Sequence, residues 1–349
     1  MRLEPKPAPS LAVTLLYPAG AVAAPVVIPS LLALAAGANA FAVFGLVLKG
    51  AAGSQFALME TLTRATPLVF TGLAVAVAFR AKLWNIGAEA QLYAGAILTV
   101  VLGTGALPLP AIILLPLIAI FAALAGAMLL LGPAVLKVRF GVDEVVTTLL
   151  LNFVMLLFVS MLLEGVLKDP TGLGWPQSQK LIADARLPRI VTGRRLHYGF
   201  VLALVSAIAV WIVMKKTTLG YEMRAVGHNP EAARFAGMPV NRILLKAALI
   251  SGGLAALGGF SEVAGLKGNL SLDLSPGFGY SGIVVAMLAM LNPLGVVVAA
   301  IFVAGIFVGA DAMSRTAGVP SYIANVMVAT ALLTMVTAIM LTRFRVRWR

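Results

Sequence analysis

Long apolar runs, separated by short polar stretches, dominate the pattern along the chain. Many of these runs reach the roughly 20 residues that carry a helix across a bilayer. The pattern predicts ten spans, near 11–34, 58–79, 86–104, 111–132, 144–163, 198–214, 243–265, 277–291, 293–310 and 320–341. The eighth is short and reads as a half-helix or re-entrant segment, which is tolerated only where protein or a water-filled cavity surrounds it. The segments of about ten alternating residues that a membrane β-barrel requires do not occur. The expected fold is therefore an all-α integral membrane protein of about ten transmembrane helices, with residues 1–349 forming one polytopic domain.

One polar insert interrupts the pattern. "RAVGHNPEAARFAGMPVNR", residues 224–242, carries both charge signs and predicts a two-turn helix over 230–236. Asn229 suits the N-cap, Pro230 the first helical position, and Glu231 the positive helix end. Gly237 can adopt the left-handed conformation that closes the helix, and Pro239 prevents its continuation. So short a helix cannot persist alone in water, so something must pack on it.

Composition agrees with the membrane reading. Charged residues are 11% and apolar residues 61%, against about 25% and 45–50% in soluble domains. The net charge of +13 is assigned to loops that orient the spans, since no nucleic-acid motif accompanies it. Without cysteines, and with only His197 and His228, disulfides and a histidine metal site are not expected. The opening 34 residues read as an uncleaved first span.

Basic residues cluster at 1–10, 80–85, 133–143, 215–242 and 342–349, which places these segments, the turn at Asn292-Pro293 and both termini on the cytoplasmic side. The loop 164–197 then lies outside, despite six basic residues of its own. It reads equally as a connector or as a lid or docking surface for an external binding protein.

Polar groups inside the spans are the candidates for chemistry. In "LWNIGAEAQLYAGA" (83–96), Asn85, Glu89 and Gln91 stand where a span enters the membrane. A carboxylate there must be paired or wet, and it is read as functional by default. These residues either line a solute pathway or cap a broken helix, Asn85 as N-cap and Glu89 on backbone N–H groups. Asn152 reads as interhelical glue or a pathway contact. Glu262, near the end of the seventh span, is expected to be wet. "SGGLAALGG" (251–259) predicts close helix packing. "TGLAVAVAF" (71–79) and "SGIVVAMLA" (281–289) look alike, which is compatible with duplication or chance.

Two of these stretches carry a family resemblance. "RAVGHNPEAARFAGMPVNR" resembles the cytoplasmic coupling segment of ABC importer permeases. "PLVFTGLAVAVAFRAKLWNIGAEAQLYAGA" (67–96) resembles the signature of the nucleoside and simple-sugar, basic membrane protein-type branch of the branched-chain amino acid permease-like family. Ala90 departs from it, since glycine is usual there. "GVDEVVTTLLLNF" and "GFGYSGIVVAMLAMLNPLGVVVAA" also fit. The resemblance implies a type II ABC importer-like permease with broken or short helices, resident in the inner membrane and importing nucleosides or related small polar solutes such as simple sugars by alternating access. It implies ATPase coupling through Gly227, Asn229, Pro230, Glu231, Ala232, Ala233, Arg234 and Gly237. The implied partners are ABC ATPase subunits carrying ATP and Mg, a second permease subunit expected as a heterodimer, an external substrate-binding protein and membrane lipid. The chain itself shows no phosphate-binding loop and no catalytic constellation, so it is not read as an enzyme. The competing class is an ion-coupled secondary transporter or channel, which usually needs intramembrane ionisable residues. Glu89 and Glu262 are the only serious candidates.

Overall fold

In apolar surroundings a backbone can satisfy its own polar groups only as helix or closed barrel, and the apolar runs of this chain take the helical solution. The computed structural model describes residues 2–5, 40–172, 174–317, 326, 329, 330, 333, 334, 337 and 344–347. The helices are α1 (Ala40–Ala52), α2 (Gln55–Arg80), α3 (Ala88–Gly103), α4 (Ala111–Phe140), α5 (Glu144–Glu164), α6 (Gly199–Lys216), α7 (Thr218–His228), α8 (Pro230–Phe235), α9 (Val240–Glu262), α10 (Phe278–Leu288) and α11 (Pro293–Ala317). Among the described residues, six are long and apolar enough to cross a membrane: α2, α4, α5, α6, α11, and α9 with its π-helical extension Val263–Lys267. The shorter α3 and α10 are apolar half-length helices.

The span expected at 11–34 and most of that at 320–341 fall outside the described residues. Helices α1 and α7 were not anticipated. The all-helical expectation has one exception among the described residues. Arg2–Pro5 (β1) pairs antiparallel with Phe344–Arg347 (β2), Arg2 opposite Arg347.

The chain divides into two compact units. The first comprises residues 1–61 and 301–349. In it α1 lies so close to α11 that a Cβ on Gly309 would strike the Val47 backbone, and the Thr61 hydroxyl donates to the Ala51 carbonyl at 2.8 Å.

The second unit, residues 62–300, holds the polar insert and the buried amides. Its core forms where α9 crosses α4 and α3. Gly126 and Gly252 face each other there, and a Cβ on either would collide with the other's backbone. The small-residue run 251–259 is thus the packing surface expected from the sequence. Ile112, Met128, Leu157 and Val205 on α4, α5 and α6 are exposed, giving these helices outer faces unsuited to water.

The loop 164–197 is stitched down by its backbone. Ser178 N–H donates to the Leu270 carbonyl (2.9 Å), Leu181 N–H to Gly268 (2.8 Å) and Leu187 N–H to Ala264 (2.8 Å). Glu262, expected to be wet, is buried, and one of its carboxylate oxygens meets no hydrogen-bond partner.

His197 ends that loop, buried against Gly199 and Gly265. Its Nδ1 accepts from Gly199 N–H at 3.2 Å, and its Nε2 has no partner. Burial lowers its pKa from 6.5 to about 4. The folded chain therefore binds this proton more weakly than the unfolded chain, and the contribution is lost as pH falls from 6.5 towards 4. We expect the thermal midpoint in detergent to fall over that window, and His197→Asn to remove part of the slope while keeping an acceptor for Gly199. Identical slopes would mean that His197 does not titrate with folding.

Candidate functional site

The site is built around a helix that stops and restarts. α2 ends at Arg80 and α3 begins at Ala88, leaving residues 81–87 outside both helices in a mostly buried setting. Each orphan N–H or C=O there needs a partner.

Asn85 supplies part of the answer from within. Its Oδ1 accepts from Gly87 N–H (3.0 Å) and from Gln91 Nε2 (2.9 Å), while its Nδ2 donates to Gln91 Oε1 (2.9 Å) and Ser251 Oγ (3.0 Å). Ser251 Oγ in turn donates to the Ala74 carbonyl at 2.7 Å. Asn85 and Gln91 thus form a reciprocal amide pair that ties the break to α3, α9 and α2. Asn85 is not the N-cap expected from the sequence. Gly87 holds that position, with no side-chain cap.

α5 supplies the rest. Glu144 accepts from Trp84 N–H at 3.2 Å and Thr148 from Ile86 N–H at 3.2 Å. Asn152 accepts from Ala90 N–H and donates to the Ile86 carbonyl, both at 3.0 Å. These three residues are spaced by four and share one face of α5. They form a ladder whose rungs replace the missing helical bonds of the break. Glu144 also pairs with Lys137 of α4. Ala90, where glycine is usual in the resembling family, is almost fully buried.

Glu89 points elsewhere. Its carboxylate accepts from Gly279 N–H at 2.6 Å, in the first turn of α10. It therefore caps another helix, where a carboxylate meets the positive end of the helix dipole. Gly279 leaves no room for a Cβ beside the Glu89 backbone. Between Glu89 and Asn152 sits Tyr280, 38% exposed, with its hydroxyl bonded to Asn152 Nδ2 at 3.0 Å. The four residues singled out in the sequence are thus brought together, and most of their polar groups are committed to protein partners.

The polar insert forms a separate surface. α7 is capped by Thr217, whose hydroxyl accepts from Gly220 N–H at 3.3 Å. The Arg224 guanidinium reaches the Met214 carbonyl. α8 follows with the expected cap. Asn229 Oδ1 accepts from Glu231 and Ala232 N–H at 3.0 and 3.1 Å, Pro230 opens the helix, and Gly237 adopts φ +80°. Ala233 is its buried residue. Glu231, Ala232, Arg234 and Ala236 are exposed, and Phe235 is 97% exposed.

Sequence reasoning missed Glu144, Thr148, Ser251 and Tyr280. The four-residue spacing of Glu144, Thr148 and Asn152 was visible as a polar stripe on an apolar helix, but its partner was not. Ser251 was read only as a small residue, and nothing distinguished Tyr280 from other aromatics.

The family described as branched-chain amino acid transport system / permease component matches residues 57–342. The chain is similar to a glucose ABC transporter permease protein of Haloferax volcanii, 38% identical over 84% of this chain and 79% of that protein. It is similar to a guanosine ABC transporter permease protein of Bacillus subtilis, 36% identical over 87% and 88% of the two chains. A nucleoside ABC transporter permease protein of Lactococcus lactis subsp. cremoris is 32% identical over 80% and 79%. No solved structure matches the chain significantly.

The ladder makes a quantitative demand. Polar contacts between membrane helices average about 0.6 kcal/mol, but Asn152→Leu strands two buried backbone groups, each costing about 1–3 kcal/mol. We expect a loss of at least about 2 kcal/mol by reversible unfolding in detergent. A loss no larger than the helix–helix average would show that the break is held by something else.

Proposed function

The chain belongs to the branched-chain amino acid transport system / permease component family and is the permease subunit of an ABC importer, and from that premise we propose that it carries nucleosides or related small polar solutes such as simple sugars. The names of its guanosine, nucleoside and glucose relatives support this cargo class. It is a multi-pass membrane component rather than an enzyme, and ATP and Mg are expected on its ATPase partners. Alternating access is the expected mechanism: ATP binding draws the ATPase pair together, α8 moves with it, and the spans rearrange around the solute.

One observation carries the coupling assignment. α8 is rigidly capped, anchored through Ala233, and otherwise exposed with an apolar side chain at its tip. Gly227, Asn229, Pro230, Glu231, Ala232, Arg234 and Gly237 shape and present that tip. Phe235 is the contact we expect to enter a groove on the ATPase, since buried aromatic anchors dominate interface energetics.

The remaining parts of the proposal concern placement and partners. The protein sits in the inner membrane with both termini and the 215–242 loop in the cytoplasm. The pairing of Arg2–Pro5 with Phe344–Arg347 supports an even number of crossings, and a total near ten is in keeping with it. A second, different permease chain completes the pathway, lipid covers the exposed apolar faces, and an external substrate-binding protein delivers the solute to the side bearing loop 164–197. Asn85, Glu89, Gln91 and Asn152 border the pathway as its scaffold. Tyr280, half-exposed above them, offers the aromatic face on which a base or sugar ring stacks.

Two experiments test this reading. Phe235→Asp should abolish co-purification of the ATPase subunits from mild detergent and leave the permease folded. Retained ATPase would disprove the anchor, and uptake into vesicles without ATP would make the chain a secondary transporter. Tyr280→Ala should lower solute uptake about tenfold, in keeping with about 1–3 kcal/mol for base–aromatic stacking, with ATPase binding intact. Uptake at the wild-type level would remove Tyr280 from the pathway.

A further inference from the structure

Five residues, Arg80–Trp84, lead from the end of α2 into the buried break, and two of them reach the last residues of α7, just before α8. α2 closes with Leu83 N–H donating to the Ala78 carbonyl and Lys82 N–H to Phe79, each at 3.0 Å, and Lys82 adopts φ 55°. Such a closure favours glycine at the left-handed position. α10 closes with the same pair of bonds. Leu291 N–H donates to Ala286 and Met290 N–H to Met287, each at 2.9 Å, with Met290 at φ 49° and Leu291 at φ 59°.

A lysine in a glycine position needs a compensating contact, and its side chain makes one. Lys82 Nζ donates to the His228 carbonyl at 3.3 Å, at the last residue of α7 and next to the Asn229 cap of α8. Beside it the Arg80 carbonyl lies against Gly227, where a Cβ would collide with it. The hydrogen bond resists separation and the steric contact resists compression, so the pair is suited to transmit motion in both directions.

From there the contacts spread to both helix endings. Arg80 Nη2 donates to the Leu291 carbonyl at 3.3 Å, inside the closure of α10. Lys137 Nζ donates to the Lys82 carbonyl at 3.2 Å, and Trp84 N–H begins the α5 ladder.

We propose that the turn Arg80–Trp84 is the mechanical node that carries displacement of Pro230–Phe235 into both helix breaks, with Lys82 as the positioning residue that couples them. This rests on the reading of α8 as the ATPase contact. In the node, Arg80 passes motion to the α10–α11 turn, and Leu83 and Trp84 pass it to the Asn85 amide pair and the α5 ladder. Arg80 thereby joins the closures of α2 and α10.

Lys82→Gly is a sharp test, because the backbone conformation suits glycine and Lys82 is exposed. Lys82→Asn, which also tolerates the left-handed region, is the second variant. The chain has no cysteine, so Leu294→Cys, at an exposed site just past the second break, gives a single thiol to follow. The permease would be assembled with its ATPase subunits and labelled with a maleimide, with and without ATP plus vanadate. In the Lys82 background we expect the labelling rate to change on nucleotide binding. In both variants we expect assembly and ATP hydrolysis to continue and the nucleotide-dependent change to shrink at least about fivefold, the lower range of coupling between sites. An undiminished change in both variants, or no change in the Lys82 background, overturns the node. Failure of the Lys82 chain to bring down any ATPase overturns instead the reading of α8.

Discussion

The buried polar network of the second unit answers to one constraint: a helix interrupted in apolar surroundings must have its loose backbone groups paired by something else. Residues 81–87 are that interruption, and the solution is spread over four elements. α5 offers Glu144, Thr148 and Asn152 at helical spacing, α9 offers Ser251, α3 returns Gln91 to Asn85, and the break bonds to itself through Gly87. Each partner removes a desolvation cost of about 1–3 kcal/mol. A half-satisfied network would be worse than an unbroken helix, so these residues are fixed as a set.

The close glycine contacts serve the same end from the packing side. Side-chain hydroxyls and amides are short, and they reach a neighbouring backbone only if the helix axes lie near each other. Gly126 against Gly252, and Gly279 against the backbone of Glu89, bring the axes within that reach. Hydrogen bonding and packing are therefore interdependent here. A bulky residue at Gly252 would part Ser251 from Asn85 as well as α4 from α9.

Much of this was legible in the sequence, and the limits have physical causes. Length and apolarity announced the six long helices among the described residues. The cap of α8 was readable residue by residue, because capping is local and Asn229, Pro230 and Gly237 each have few conformational choices. The polar cluster at 85–91 was visible as an anomaly, but its partners were not, since Asn85–Ser251 and Glu89–Gly279 join residues more than 150 positions apart. Asn85 was misplaced as an N-cap because the sequence did not show that the helix would wait until Ala88. α1 escaped notice for the opposite reason, since an apolar helix of 13 residues is too short to register as a span. Lys82 gave no warning because its left-handed backbone is imposed by the helix closure around it.

Glu89 has one more consequence. Free N–H groups at a helix start are where many proteins seat phosphate. At α10 the Gly279 donor is taken by a carboxylate from the protein's own chain. An anion seeking that donor would first have to displace Glu89, whereas an uncharged group would lose nothing by its presence.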